Sequence, residues 1–253
     1  MNFIFKILII FLFSYNINAK EIGETEITTE DGIEVFQDEK YYLLKKNVKI
    51  ISDSFSLEAD EVKIKYDKSL YDITELIANG DVNFTSNQFE INGKGEALKF
   101  EVKIEKLHIE GKNSELITKD INMYSNGFIE LNNLSGNFKL NGPNSKLAND
   151  GILINAESIN GLFSNTNDKK NIIFLEIYDN KLSYVKNNDT EMYAKKINFD
   201  NNNSLIELID EVIIIRNGEK ISGDYGTFDT KKNSYKIKSI DQKKVKVIIK
   251  NNE

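Results

Sequence analysis

The only histidine of the chain, His108, is where a search for catalytic or metal-binding chemistry has to begin. It stands in the segment Lys106-Leu107-His108-Ile109-Glu110, where polar and apolar residues alternate with the period of a β-strand. A zinc site would need further nitrogen or sulfur ligands, and the chain has no other histidine and no cysteine. A serine-histidine-aspartate triad would need a nucleophile-elbow sequence, which is absent. We therefore interpret His108 as a solvent-facing strand residue that shares a face with Lys106 and Glu110.

Two pairs of adjacent acidic residues are the next candidates, as glycosidase carboxylates or calcium ligands. They are Asp60-Glu61 and Asp210-Glu211. Neighbouring residues of a strand point to opposite faces, so such pairs do not converge on one substrate or ion. The glycines of Gly93-Lys94-Gly95 lack the following helix that a phosphate-binding loop requires. The sequence thus predicts a protein that is not an enzyme and that uses no cofactor and no metal.

Composition places the chain among ordered, non-nucleic-acid-binding proteins. Its 253 residues are 40% hydrophobic and 29% charged, too apolar for disorder and long enough for one large all-β domain. A formal net charge of −7 argues against a nucleic-acid partner, which requires a positive face. The absence of cysteine excludes a disulfide scaffold, and the single proline, Pro143, leaves no proline-rich linker.

The N-terminus reads as an export signal. Residues 7–15 form an apolar run that follows Lys6, and Ala19 ends a tolerable cleavage site, so residues 1–19 are predicted to be a secretory signal peptide. The run is shorter than the ~18 residues that span a bilayer, although a retained membrane anchor is the alternative. Residues 20–31 are then a flexible lead-in to a domain over residues 32–250, with a soft boundary near residues 141–150.

One short strand motif recurs along that domain. Its first copy, Leu57-Glu58-Ala59-Asp60-Glu61-Val62-Lys63-Ile64, has inward positions 1, 3, 6 and 8, with a small residue at position 3. The alternation slips by one residue in the middle, and only a β-bulge would keep all four side chains on one face. Repeated bulges would curve the sheet into a trough or flattened barrel. The other copies are Ile91/Gly93/Glu96/Leu98, Leu131/Asn133/Gly136/Phe138, Ile154/Ala156/Ile159/Gly161, Met192/Ala194/Ile197/Phe199 and Ile221/Gly223/Gly226/Phe228.

Turn-forming residues separate these strands. Asn79-Gly80 and Asn217-Gly218 are typical of hairpin turns, because both residue types tolerate positive φ. Residues 165–170 and 201–204 read as exposed loops, and residues 244–250 as an edge strand whose lysines guard against aggregation.

These repeats resemble the LptA/OstA family of periplasmic lipopolysaccharide-transport proteins. The sequence motifs that carry the resemblance are Gly80-Asp81-Val82, Leu57-Glu58-Ala59-Asp60 and Ile221-Ser222-Gly223-Asp224. It is clear over residues 32–111 and 191–240, and weak over residues 113–188, where the Ala/Gly-Asp pair is lost.

The resemblance implies an all-β, elongated and curved β-jellyroll, an open trough of repeated antiparallel strand units. It also implies a periplasmic bridge that carries lipopolysaccharide in a hydrophobic groove between the inner and outer membranes. Other jellyroll proteins of the export bridge, and further copies in head-to-tail self-association, would join by edge-strand addition. The residues expected to face the lipid A acyl chains are Leu57, Ala59, Val62, Ile64, Phe84, Ile91, Phe100, Ile197, Phe199, Val212, Ile214, Ile221 and Phe228.

Three alternatives remain at this stage. Each inward residue could belong to a closed core rather than to a groove, because burial stabilises a side chain by ~1.5–3 kcal/mol in both cases. A retained anchor would make the chain a membrane-anchored component of the same export system, resembling LptC. A non-catalytic β-solenoid that binds polysaccharide would need rows of exposed aromatic residues, and the tyrosines form no regular ladder.

Overall fold

The computed structural model describes residues 24–69, 72–166, 169–240 and 244–249, and within this part of the chain the protein is built from β-strands. A single 3-10 turn, Val102–Ile104, interrupts them. The all-β prediction is therefore confirmed. The strands are β1 (Glu26–Thr28), β2 (Ile33–Phe36), β3 (Tyr41–Ile51), β4 (Phe55–Tyr66), β5 (Ile73–Ser86), β6 (Ile91–Glu101), β7 (Lys106–Glu110), β8 (Ser114–Thr118), β9 (Ile121–Ser125), β10 (Phe128–Asn132), β11 (Asn137–Asn149), β12 (Ile152–Thr166), β13 (Lys169–Asn187), β14 (Thr190–Asp200), β15 (Leu205–Arg216), β16 (Glu219–Asp229), β17 (Ser234–Lys238) and β18 (Lys246–Ile249).

Antiparallel pairing runs in sequence order along most of the chain. Each strand from β3 to β6 pairs with its successor, and so does each strand from β11 to β16. Between them, β7 and β8 both pair with β6, while β9 and β10 both pair with β11. At one end β1 and β2 both pair with β3, and at the other end β17 and β18 both pair with β16. The sheet is therefore an elongated stack of hairpins with two short edge strands at each end.

Most long strands bend near the middle, where the pairing register shifts. In β4 the shift falls between Glu58 and Glu61, and in β15 between Ile209 and Val212. On the other side of each bulge the inward residues stay inward, so Leu57, Ala59, Val62 and Ile64 are all buried. This is the bulge that the slipped alternation predicts. Backbone with positive φ at Asp210 and Glu211 produces the bend in β15.

The bends divide the sheet into two facing layers. Layer I contains β1, β8, β9 and β18 with residues 48–51, 55–59, 82–86, 91–95, 145–149, 152–156, 183–187, 190–194, 212–216 and 219–223. Layer II contains β2, β7, β10 and β17 with residues 41–45, 61–66, 73–79, 97–101, 137–141, 158–166, 169–178, 196–200, 205–209 and 225–229. We call the side with the bends the corner and the opposite side, where the hairpin turns of both layers lie, the mouth.

Small side chains line the corner inside layer I. One residue of each layer I strand from β3 to β16 stands beside the bend, and these residues form a row of cross-strand neighbours. In spatial order the row is Val48, Ala59, Val82, Gly95, Ser114, Ser125, Ser145, Ala156, Ser183, Ala194, Val212 and Gly223. The layers converge at the corner, so a large side chain would meet the opposite layer. A Cβ on Gly95 would lie 2.5 Å from Ile109 Cγ2 of layer II.

Serines occupy this row in the middle of the chain, where the Ala/Gly motif is lost. Their hydroxyls donate to the carbonyls that the bends free from the ladder: Ser114 to Gly111 O at 2.9 Å, Ser145 to Gly142 O at 2.8 Å, and Ser183 to Lys195 O at 3.2 Å. All three serines are fully buried, so these bonds satisfy groups that would otherwise be costly to bury.

Several local expectations need correction. Asn79-Gly80 is no hairpin turn, because it lies within β5 at a bend, whereas Asn217-Gly218 does form one. The third motif copy is also different: Leu131 and Phe138 belong to β10 and β11, and residues 133–136 form the turn between them.

Three further segments also differ from the expectation. The lead-in, residues 20–31, includes β1, which pairs with β3. Residues 165–170 are strand on both sides of residues 167–168, so they are not a simple exposed loop. The strand β11 extends through residues 141–149 and pairs with β12 on both sides of its bulge, so the sheet continues across the proposed soft boundary.

Glu75 provides a pH-dependent contribution to stability on layer II. Its carboxylate, only 14% exposed, lies 2.9 Å from Lys99 Nζ and also pairs with Lys65. Burial raises the pKa of the Glu75 carboxyl, but the ammonium groups of Lys65 and Lys99 outweigh this and lower the net pKa. A depressed carboxyl pKa stabilises the fold above the unfolded-state value, and that contribution is lost as the pH falls through the folded-state pKa.

We expect Glu75→Gln to lower the free energy of unfolding at pH 7 by about 1 kcal/mol, because both lysines are half exposed and water screens them. The difference from the wild type should shrink as the pH falls through the lowered pKa of the Glu75 carboxyl. Urea unfolding at pH 7 and pH 3 measures both values. Glu39→Gln, at an exposed turn residue, is the control, and an equal loss in both variants would contradict the assignment.

Candidate functional site

The thirteen residues predicted to face lipid meet on one continuous apolar interior. Twelve of them are buried, and Ile221, near the end formed by β17 and β18, is half-buried. The twelve buried residues belong to one cluster that runs the length of the sheet. The structure thus brings the predicted residues together, and it adds others of the same kind: Leu44, Val48, Ile50, Leu76, Leu98, Leu107, Ile109, Leu116, Ile129, Leu140, Leu147, Ile154, Ile177 and Leu208.

Side chains from the two layers fill this interior. The ring of Phe84 in layer I lies 5.7 Å from that of Phe100 in layer II and 6.1 Å from that of Phe55, centroid to centroid. A gap of only about 10 Å³ lies beside Ile177, Ile197 and Phe199. This is about the volume of one water probe. The inward face is therefore a packed interior in this state, and an acyl chain would have to separate the layers or displace side chains.

The two layers touch at several places along the mouth. Near β5 and β6, Phe89 of a layer I turn packs edge-on against Phe100 of layer II, with ring centroids 6.2 Å apart. Near the end formed by β17 and β18, Arg216 of layer I donates to the carbonyl oxygen of Asn233 in layer II at 3.1 Å. These contacts are local, whereas at the corner the backbone of most long strands passes from one layer into the other. The mouth is therefore the side on which the layers are held together most weakly.

The hairpin of β12 and β13 crosses the mouth near the middle of the sheet. Its strands pair up to Thr166 and Lys169, beyond the last partners in β11 and β14. The backbone N–H of Lys170 donates to Asp120 Oδ2 of layer I at 2.9 Å, and Asn149 Nδ2 donates to Asp120 O at 2.8 Å. A hairpin of layer II is thereby fixed to the turn between β8 and β9 in layer I.

Lys170 is half-buried at this crossing. Its Nζ donates to Asn133 Oδ1 at 3.1 Å and lies 5.1 Å from the centroid of the Phe163 ring. Burial lowers the pKa of the Lys170 ammonium, against the opposing effect of the carboxylates of Asp120, Glu90 and Glu105. Sequence reasoning missed Asp120 and Lys170, because nothing in either local segment indicates a partner fifty residues away.

At both ends of the stack, inward-facing apolar side chains remain exposed. On β2, Ile33 and Val35 point to the inward side yet are 48% and 49% exposed, and on β18 Val247 and Ile249 are 52% and 64% exposed. Among the residues that the structure describes, the strands that carry them have a hydrogen-bonding partner on one side only. The apolar interior thus extends to both ends of the stack, where each layer also offers free backbone donors and acceptors.

The remaining chemistry candidates lie apart from this interior. His108 faces outward between Glu110 and Glu130, 3.3 and 3.6 Å from their carboxylates, and stacks on Phe128, as the alternation predicts. Within the described ranges, no group of three or more histidine, cysteine, aspartate or glutamate residues is placed to hold a metal ion. No helix in the same ranges has the length and apolarity to cross a membrane.

Comparison with known proteins identifies the first part of the sheet. Residues 29–122 match the family model described as LptA/(LptD N-terminal domain) LPS transport protein. No curated protein matches the chain. Among solved structures, the chain is similar to LptH of Pseudomonas aeruginosa, described as the LptA homologous periplasmic component of the conserved lipopolysaccharide transport device. The two are 11% identical, with 90% of this chain and 96% of LptH covered and a TM-score of 0.24. The resemblance expected from the repeat motifs is confirmed over residues 29–122, and the part expected over residues 191–240 lies outside that match.

Proposed function

We propose that this LptA/OstA-like chain is a non-enzymatic periplasmic bridge protein that takes part in lipopolysaccharide transport and outer-membrane assembly. It would carry the acyl chains of lipopolysaccharide along its apolar interior. The observation that carries this proposal is the form of that interior: one cluster that runs from end to end and stays open at both ends. The family match over residues 29–122 supports the lipopolysaccharide as cargo.

The ends fit a second copy stacked head to tail. In layer I, β18 runs antiparallel to its partner β16, and β1 runs antiparallel to its partner β3. When the corners of two copies are aligned, β18 of one copy and β1 of the next also run antiparallel, and the same holds for β17 and β2 in layer II. Backbone pairing would then continue both ladders across the junction. The same contact repeats without closing, so it extends into a bridge.

Charges at the two ends favour this order. Glu26 on β1 and Glu34 on β2 stand at one end, whereas Lys246 on β18 and Lys236 on β17 stand at the other. Opposite charges steer association and suppress contacts between like ends, and they do so less at high salt. Lysines also protect lone edge strands from nonspecific pairing, and the assembly experiment below separates the two roles.

Assembly should weaken when the end charges are reversed. The double variant Lys236→Glu/Lys246→Glu is expected to raise the dissociation constant for self-association about tenfold at low salt, because lysine–glutamate attraction becomes repulsion. Adding Glu26→Lys/Glu34→Lys in the partner copy should restore it. Sedimentation velocity of the full-length protein measures the constants.

The matched control for this experiment is Lys94→Glu, an exposed lysine on β6 away from both ends. Self-association that is unaffected by the double reversal, or equally weakened by the control, would show that the lysines only guard the edges.

Lipid contact is tested with a photo-crosslinking residue at Phe84 or Val212 in living cells. Both face the interior, so adducts with lipopolysaccharide are expected at each position. Asn83, the exposed neighbour of Phe84 on β5, is the matched control and should give none. Adducts at neither inward position, or equal adducts at Asn83, would refute transport through the interior.

Export through a cleaved signal at residues 1–19 is part of the same proposal, and those residues lie outside the described ranges. Mass spectrometry of the mature N-terminus tests it: a chain that begins at Lys20 supports a free periplasmic bridge. A chain that retains residues 1–19 would instead support the anchored alternative that resembles LptC.

A further inference from the structure

The outer face of layer I differs between the two halves of the sheet. In the first half, on β1, β3–β6 and β8, the outward side chains nearest the corner are Glu26, Thr28, Lys49, Ile51, Ser56, Glu58, Asn83, Thr85, Asn92, Lys94, Glu115 and Ile117. In the second half, on β12–β16 and β18, the corresponding side chains are Leu153, Asn155, Tyr184, Lys186, Glu191, Tyr193, Ile213, Ile215, Lys220, Ser222, Lys246 and Ile248. We call this second set the outer patch.

Apolar and aromatic side chains are concentrated in the outer patch. Six of its twelve residues are leucine, isoleucine or tyrosine, whereas the first half has two isoleucines at the same places in the ladders. The pairing of the strands therefore does not itself require apolar residues on this face. Leu153 and Ile248 are each 42% exposed, and the rings of Tyr184 and Tyr193 lie 5.1 Å apart, centroid to centroid. A contiguous apolar group on an outer face indicates a contact surface.

Cross-strand pairing joins these side chains into a continuous strip. Tyr184, Tyr193 and Ile213 are successive partners on β13, β14 and β15. Lys220 of β16 pairs with Ile215 on one side and with Ile248 on the other. Layer II lies behind layer I, so the strip faces away from the interior.

The outer patch is also positively charged. It carries Lys186, Lys220 and Lys246 against one carboxylate, that of Glu191, which accepts a hydrogen bond from Tyr193 Oη at 3.2 Å. Within the described ranges, no carboxylate lies within ion-pair distance of these three lysines. The same face of the first half has two lysines and three glutamates. A positive patch has thus formed on a chain whose formal net charge is −7.

The C-terminal end of the sheet continues this character. Residues 230–253 contain eight lysines and two acidic residues. In the same segment Ile240 and Val245 are 56% and 41% exposed. Because β18 belongs to both, the outer patch and this end form one basic and apolar surface.

An anionic lipid bilayer matches the chemistry of this surface. Lysine ammonium groups are attracted to headgroup phosphates, and their aliphatic stems can lie along apolar surface. Tyrosine is enriched at the boundary between headgroups and acyl chains, where isoleucine side chains are also buried by interfacial proteins. A second copy that offered the same patch would bring like charges together, which disfavours side-by-side pairing.

We propose that the outer patch docks on the surface of a membrane that contains anionic phospholipids. Docking of this kind goes beyond the proposed function, because it uses the outer face of layer I and needs no lipid in the interior. A docked copy lies with its stack of strands along the bilayer. It is therefore a copy that is not stacked into a bridge.

Vesicle binding tests the docking. Co-sedimentation of the full-length protein is measured with phosphatidylcholine vesicles, with and without phosphatidylglycerol. The wild type should bind the anionic vesicles at least about tenfold more tightly. Lys186→Gln/Lys220→Gln should weaken that binding about tenfold, because each lysine contributes attraction to the anionic surface. Ile213→Thr/Ile215→Thr should weaken it about fivefold through lost apolar contact, while threonine keeps the β-branched shape that suits a strand.

The first half of the same face supplies matched controls. Lys49→Gln/Lys94→Gln and Ile51→Thr/Ile117→Thr are the same substitutions on outward positions of layer I, and each should change vesicle binding less than about twofold. Circular dichroism verifies the fold of all four variants. Contacts that vesicles make with the open ends or with residues 1–19 are common to every variant.

The outcomes separate docking from the other roles of the chain. Equal binding to both kinds of vesicle, or equal losses in patch and control variants, overturns membrane docking and leaves lipid carriage in the interior untouched. Self-association that is weakened by the patch variants, with vesicle binding unchanged, identifies a contact between copies instead. Patch variants that lose vesicle binding but keep lipopolysaccharide adducts at Phe84 support docking as a separate property. Docking without adducts at Phe84 in the wild type would refute carriage alone.

Discussion

Phe84→Ala is expected to lower the free energy of unfolding by about 3–5 kcal/mol, the range for removing a large buried aromatic side chain from a core. Phe84 is 2% exposed and joins the layers, with Phe55 and Phe100 as ring neighbours. Buried side chains surround Phe84, and the ladders on both sides of β5 resist collapse. Urea denaturation of wild type and variant measures the difference.

The cavity left by Phe84→Ala also tests what the interior accepts. It should stay dry and take up an apolar chain, so n-dodecyl maltoside should stabilise the variant more than the wild type. Phe128→Ala, in β10 on the outward face, is the matched control and should cost far less. A loss below about 1 kcal/mol at Phe84 would show that the layers do not depend on it, contrary to a packed interior.

The sequence alone was enough to predict the bends, because a bulge leaves a local trace. Leu57, Ala59, Val62 and Ile64 slip by one position, and a slip must be absorbed within the strand if one face is to stay buried. The position of the bulge depends on neighbouring residues only, so it can be predicted from one segment of the sequence. For the same reason the outward position of His108 was predictable from Leu107 and Ile109 alone.

The repeats in the middle of the chain were harder to recognise from sequence, because the corner requires a small residue rather than a particular residue type. Ser125, Ser145 and Ser183 fill the positions that Ala59 and Ala194 fill elsewhere, yet serine also marks turns and exposed loops. Only the three-dimensional structure reveals that these serines are buried and that their hydroxyls donate to backbone carbonyls at the bends. The weak central repeats are thus the same structural unit with a different small residue.

An Asn-Gly pair does not by itself distinguish a hairpin turn from a bend within a strand. Gly80 and Gly218 both have positive φ, at 77° and 81°, but one lies in a bend within β5 and the other in a hairpin turn. Positive φ is shared by Asn217 at the turn and by Asp81 at the bend, so the two glycines have similar φ but different positive-φ neighbours. The two sites also differ in whether the chain continues into the facing layer or returns beside itself. That choice depends on long-range pairing, which the dipeptide does not encode.

Whether the inward residues form a groove or a packed interior could not be read from their types. The answer depends on the separation of the layers, which the mouth contacts of Asp120 with Lys170 and of Phe89 with Phe100 help to set. A closed mouth is compatible with lipid carriage if the layers can part there or if lipid enters through the open ends. The backbone of most long strands crosses the corner, so the layers can part only at the mouth.

Locking the mouth should therefore block loading of the interior. Because the chain has no cysteine, Asp120→Cys/Lys170→Cys creates a unique pair at two positions that the wild-type bond from Lys170 N to Asp120 Oδ2 brings together. The substitution removes that carboxylate, and a covalent link replaces the bond. A short bis-methanethiosulfonate reagent would join the two layers. Lipopolysaccharide adducts at a photo-crosslinker placed at Val212 should fall at least about tenfold, because the loading-competent open state is depopulated. Reduction should restore them.

The control pair is Gln37→Cys/Lys40→Cys, whose members lie in one turn of layer II, so the same reagent leaves the mouth free. Equal loss of adducts in both pairs would indicate damage by the reagent. Undiminished loading in the locked protein would contradict lateral opening at the mouth. It would mean that lipid passes through the open ends, where Ile33 and Ile249 are exposed.

The two loading routes make opposite demands on assembly: a lateral mouth can load each copy alone, whereas loading through the ends requires stacked copies. The locked variant combined with Lys236→Glu/Lys246→Glu should then lose loading altogether.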